Sequence, residues 1–107
     1  MIPPKGWTTD KEEMDYDYFW ADKDCDGQRI ARKHGLKLAQ PIMCSAPDSD
    51  NCLHMFQSGS KYYIWNPIEG NIWEIMTSMG RVEIVTKIAK LGLKSLMVAK
   101  VHQVSSG

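Results

Sequence analysis

Few side chains in this 107-residue chain have the types and spacing that chemistry needs, and the most suggestive is Glu74, which strand parity places beside Tyr63 and Trp65. A carboxyl group among aromatic rings loses hydration of its charged form, so its pKa rises and it can hold a proton closer to neutrality. Read without a reaction, the same three side chains are a contact patch, because aromatic residues bury large area and dominate binding hot spots. Asp22-Lys-Asp-Cys-Asp-Gly-Gln28 carries acids at alternate positions before a glycine, which is how a calcium loop opens. The count then fails, since the apolar anchor falls at Ile30 and the closing position holds the cation Lys33. Helix-terminating turns and a helix cap account better for that run.

Cys44, Cys52 and His54, joined by Cys25 or His34, are donors that zinc accepts, but no close C-x-x-C pair organises them. Cys25 with His34 as a nucleophilic dyad has no local signature. Neither a phosphate-cradling glycine loop nor a G-x-S-x-G elbow occurs. The sequence therefore predicts no catalytic residue, no metal site and no cofactor, and leaves the question of enzymatic activity open.

The elements that must position these residues follow from periodicity and punctuation. Residues 1–7 read as an extended lead-in, because Pro3, Pro4 and Gly6 oppose a helix. Thr8, Thr9 or Asp10 can cap a helix over about 10–21 whose stripe is Met14, Tyr18 and Ala21, widened by Phe19 and Trp20. Asp26 is the expected cap of a second helix, Gly27 to His34, ended by Gly35 in a left-handed turn. Residues 36–44 suit an edge strand or two short pieces broken by Pro41. Residues 52–57 alternate as a strand, with Leu53, Met55 and Gln57 on one side and Cys52, His54 and Phe56 on the other.

The strongest signal is Lys61-Tyr-Tyr-Ile-Trp-Asn-Pro-Ile-Glu-Gly-Asn-Ile-Trp-Glu-Ile75, two aromatic and β-branched runs around a Pro- and Gly-containing turn, which predicts a hairpin. Placing Asn66 opposite Asn71 puts Tyr62, Ile64, Trp73 and Ile75 on a core face. Tyr63, Trp65, Ile72 and Glu74 then occupy the other face. Ser78 can cap a third helix with Ile84, Ile88 and Leu91 on one face and Gly92 at its stop. Leu93 to Val104 fits either a helix or a strand, and its valines favour the strand.

Composition is that of a globular chain, 43% hydrophobic and 24% charged, and excludes disordered or collagen-like classes. At this length the chain reads as one domain, 1–107, able to fold without a staple. Net charge is zero, so an overall basic footprint for nucleic acid is missing. The ends differ, however: residues 1–26 carry three lysines against eight acids, and residues 81–107 carry five basic residues against Glu83. No apolar run approaches a bilayer span, and the N-terminus lacks the pattern of a secretory signal. Three cysteines point to reduced thiols and an intracellular, soluble protein, the competing arrangement being a Cys44–Cys52 bridge.

Two fragments resemble known modules. Pro3-Pro-Lys-Gly-Trp7 together with Tyr62 to Pro67 and Gly70 to Glu74 is similar to the opening and closing phrases of a WW domain, which implies binding of proline-rich peptides. More than fifty residues separate Trp7 from Tyr62. Asp26 to Leu36 with Trp65-Asn-Pro67 resembles LysM modules, which implies glycan binding. Neither fragment assigns the chain to a family.

The expected fold is α+β: a small antiparallel sheet of three to five strands packed by helices from the N-terminal region and from about 80–91. The expected function is a non-enzymatic protein-interaction domain using Tyr63, Trp65 and Glu74 on the hairpin face, with a protein partner or self-association. A glycan or small-ligand binder is the alternative, favoured by rings lining a concave pocket. A small acid–base enzyme is the third class, and requires a strongly shifted titratable group in such a pocket. Nucleic acid and membrane are not expected partners.

Overall fold

The computed structural model describes residues 3–45, 53–75 and 80–104. Their elements run β1 (Trp7–Thr8), α1 (Tyr16–Phe19), α2 (Asp26–Lys33), β2 (Gln40–Ser45), β3 (His54–Ser58), β4 (Lys61–Asn66), β5 (Asn71–Ile75), α3 (Arg81–Leu91), a 3-10 turn (Leu93–Leu96) and β6 (Met97–Val101). The strands form one antiparallel sheet in the order β1-β2-β3-β4-β5-β6, so every strand pairs with its neighbour in sequence. The α+β class is as expected, but the sheet has six strands, not three to five. The lead-in supplies the extra edge: Trp7 and Thr8 pair with Ser45 and Cys44.

The hairpin forms in the expected register. Asn66 pairs with Asn71, Trp65 with Ile72, Ile64 with Trp73 and Tyr63 with Glu74. The turn is held from one residue, since Asn66 Oδ1 accepts the amides of Ile68 and Glu69 at 3.0 and 3.2 Å, and its carbonyl accepts Gly70 N–H at 2.7 Å. Asn66 thereby offers the backbone a turn in place of continued strand pairing. In β2, Pro41 pairs with Phe56 and a register shift follows before Met43. Because β1 covers only Cys44 and Ser45, the first half of β2 is an edge, where a missing N–H costs nothing.

The first helix is much shorter than the expected 10–21. Asp10 does cap the segment, its Oδ1 accepting the Glu12 and Glu13 amides at 2.8 and 3.3 Å. After one turn, Tyr16 N–H reaches back to Lys11 O and Asp15 N–H to Glu12 O, with Asp15 at φ 50. That paired bonding is a helix-ending motif with Asp15 in the left-handed position, which an aspartate tolerates better than most residues. Helix α2 starts one residue early, so Cys25 and not Asp26 occupies the cap position, and Asp26 instead lies 3.8 Å from Arg29. Gly35, at φ 74, ends α2 as expected, with Leu36 N–H bonded to Ala31 O. The cap expected at Ser78 lies outside the described residues, and Gly80 fills that role for α3.

Helices lie on both faces of the sheet. One core joins Trp20, Ala31 and Ala39 to Phe56, Tyr63, Trp65 and Ile72, beneath α1 and α2. The other joins Ile84, Val85 and Ile88 of α3 to Met55, Tyr62, Ile64 and Ile75. Gly27 sets the closeness of the first roof: a Cβ there would sit 2.7 Å from Phe19 O and from the Trp20 ring. Past β6, Val104 N–H bonds Lys33 O at 2.8 Å, tying the segment after that strand to α2. Among the described residues no helix is long and apolar enough to cross a membrane.

Candidate functional site

Tyr63, Trp65 and Glu74 do share one face of the hairpin. Their expected exposure is corrected by the structure, because that face is roofed. Tyr63 retains 5% of its accessible surface and Trp65 4%. Trp65 meets Phe19 and Trp20 edge to face at 5.4 and 5.6 Å, and Tyr63 stacks on Phe56 at 5.4 Å. Rings in such offset and edge contacts gain beyond the area they bury. Burial raises the Tyr63 phenol pKa, the Glu74 carboxylate adds to the rise, and Lys61 opposes it. Glu74 sits at the margin, 3.4 Å from Lys61 Nζ. The three residues are thus two core rings and a partnered acid.

His54 is the group that sequence reasoning passed over on this face. Its ring lies 5.0 Å from Phe19, 5.3 Å from Trp65 and 5.9 Å from Trp20. Burial depresses its pKa to about 4, against a weaker upward pull from Asp15. The imidazole is therefore neutral at pH 7. Strand parity had already placed it with Phe56, so its burial was readable. Gln28 was also missed: buried, it donates to Trp20 O and Ala39 O at 3.0 and 2.8 Å and accepts from Ala39 N–H at 2.9 Å. One side chain thereby fixes α2 to the chain on both sides of it. The indole N–H groups of Trp20 and Trp65 are buried without an acceptor among the described residues.

The other expected donor sets do not assemble. Asp22 Oδ1 accepts Asp24 N–H in a local turn. Cys44 is buried and its thiol lies 3.8 Å from Glu13 O, whereas Cys52, and with it the bridge alternative, falls outside the described residues. Among the described residues no group of three or more His, Cys, Asp or Glu could hold a metal ion.

The opposite face carries a concavity. Helix α3 covers Ile64 and Ile75, but Gly92 ends it, and the chain turns through Leu93–Leu96 into β6. Beyond that end a cleft of about 620 Å³ opens, walled by Trp7 of β1, Trp73 of β5, Leu53, Leu93 and Met97, with Ile64 among its lining. Trp73, expected in the core, is half-buried here and belongs to neither core. The polar lining of the cleft includes Asn66, Glu69 and Asn71 of the hairpin turn and Lys94 of the 3-10 turn. Asn71 Nδ2 donates to Glu69 Oε2 at 3.0 Å, while Asn71 Oδ1 is buried with no partner among the described residues. Trp7 could not have been assigned to this site before the β1–β2 pairing was known.

No family model matches the chain, and neither a curated protein nor a solved structure matches it.

Proposed function

We propose that the chain is a non-enzymatic interaction domain that holds a short apolar segment of a partner protein in the Trp7–Trp73 cleft. The observation that carries this reading is the cleft itself: about 620 Å³, with two half-buried tryptophans as walls. That size suits a ligand or a few side chains. Half-buried indoles with their own packing support are the side chains that most often concentrate binding energy. The reading keeps the function expected from the hairpin but moves its site from Tyr63, Trp65 and Glu74 to the opposite face.

The alternatives draw less support. A glycan would use the lining side chains Ser45, Asn66, Glu69, Asn71 and Lys94, but most of the surface the cleft offers is apolar, with Leu53, Leu91, Leu93 and Met97 beside the two tryptophans, and favours an apolar segment. For acid–base catalysis, His54 and Tyr63, whose pKa values burial displaces, pack on the roofed face and not in the cleft. An intracellular setting accompanies this proposal, and thiol counting on unfolded, unreduced protein should find three. A single thiol would place the protein in an oxidising compartment.

The site is tested with a terminally blocked leucine-glutamine-leucine tripeptide titrated into isotope-labelled protein. The indole N–H resonances of Trp7 and Trp73 should shift with a Kd of roughly 1–10 mM, the range of a minimal ligand. Those of Trp20 and Trp65 should stay in place. Unmoved Trp7 and Trp73 resonances would overturn the proposal.

A further inference from the structure

We infer that the segment taken by the cleft carries a cationic side chain, which seats against the Glu69 carboxylate and the indole faces of Trp7 and Trp73. The inference rests on the binding site proposed above and names its charge preference.

Glu69 lies at the tip of the β4–β5 turn, where an acid ordinarily points freely into water. Here its backbone amide is fixed by Asn66 Oδ1 and its carboxylate by Asn71 Nδ2 at 3.0 Å. A carboxylate only accepts, so this bond also decides which way the Asn71 amide faces. The opposite end of that amide, Oδ1, is left buried without a partner among the described residues. Leaving a buried acceptor unpaired costs more than a bond to an exposed acid returns, so stability alone does not favour the arrangement. It does hold a negative charge in one place, beside two tryptophans that line the same cleft.

Charge and rings then favour the same ligand. An ammonium or guanidinium is attracted by the face of an indole and more strongly by a fixed carboxylate. Lysine and arginine also bring apolar stems that suit Leu93 and Met97. Lys94, which also lines the cleft, makes no ion pair with Glu69 among the described residues, so the carboxylate has no cationic partner of its own there. An acidic segment would be repelled by Glu69, which is held in place, and drawn only by Lys94, for which no fixing contact is found among the described residues.

Three terminally blocked tripeptides, with lysine, glutamine or glutamate between two leucines, test this through the Trp7 and Trp73 indole resonances of the intact chain. The lysine peptide should bind about 3–5-fold tighter than the glutamine peptide, the ratio an exposed pairing with the Glu69 carboxylate supplies. The glutamate peptide should be weakest. In Glu69→Gln, checked for an unchanged amide spectrum away from the turn, the lysine and glutamine peptides should converge. Equal binding of all three peptides to the unsubstituted chain would overturn the charge preference and leave the cleft in place as a binding site. A preference that persists in Glu69→Gln would overturn the role of Glu69. If no peptide moves either resonance, the cleft reading fails and this inference with it.

Discussion

The two faces of the β4–β5 hairpin carry similar aromatic side chains, yet the face with Tyr63 and Trp65 is sealed under α1 and α2, whereas the face with Trp73 stays partly open beyond the end of α3. The difference lies in what the connections supply. The segment between β1 and β2 is long enough to make two short helices, and Gly27 lets the second approach Trp20 within contact distance. Between β5 and β6 the helix that covers the other face is α3, which Gly92 ends at the cleft that Trp73 lines. Surplus rings on a strand therefore do not identify the open face. The stop signal of the covering helix does.

The comparison is broken most directly by truncating one tryptophan from each face. Trp65→Ala should cost about 3–5 kcal/mol in denaturant unfolding, the range of a large aromatic removed from a packed core. Trp73→Ala, whose ring is half-buried in the cleft, should cost about 1–2 kcal/mol, closer to the centre of the range for single substitutions. Equal losses would mean that the two faces are equally packed.

Acid sharpens the sealed face in particular, because His54 lies inside it with a pKa lowered to about 4. The unfolded chain binds this proton below about 6.5, while the native state binds it only below about 4. The unfolded state thus holds more protons in that window, and stability falls as pH drops through it. Above pH 6.5 the residue leaves stability flat. The whole window should remove roughly 2–4 kcal/mol. His54→Leu should flatten the slope between about pH 5 and 6.5, where carboxylates contribute little. A variant with the parent slope there would show that the histidine is solvated.

The register of the hairpin, the division of its side chains between faces and the stops at Gly35 and Gly92 were all legible, because each depends on neighbours in sequence. Asn66 and Asn71 bracket a turn whose bonds are local. What covers each face was not legible, since it depends on contacts between distant segments. The sequence places Trp65 on a contact surface and Trp73 in the core, whereas Trp65 is buried and Trp73 is half-buried at the cleft. The helix expected over 10–21 failed for a local reason: its apolar period continues, but Asp15 ends the first turn in a left-handed conformation that no composition rule marks. Trp7 sits four residues beyond the first described residue, and only pairing with Ser45 carries it to the cleft.

The closeness of the roof gives a smaller effect of defined sign. Gly27→Ala places a methyl against Phe19 O and the Trp20 ring, both at 2.7 Å. One contact is backbone, so relief requires α1 and α2 to separate. Destabilisation of about 1–3 kcal/mol is expected by thermal or denaturant unfolding, as for other overpacked sites. A gain in stability, which the better helix propensity of alanine would give in open space, would show that the roof is loose.

The smallest effect separates the two acids of the hairpin, one on each side of the comparison. Glu74 belongs to the sealed face but sits at its margin, 3.4 Å from a half-exposed Lys61. Exposed pairs of this kind contribute little, because solvent screens them and two long side chains must be ordered. Glu74→Gln should change stability by less than about 0.5 kcal/mol and leave peptide binding unaltered. Glu69→Gln should change stability equally little, but should erase the lysine preference of the cleft. Stability and binding are thus read independently for two substitutions of identical chemistry. If Glu74→Gln weakens the lysine peptide while Glu69→Gln does not, the binding face is the one with Tyr63 and Trp65, and the open cleft is only a gap where α3 ends.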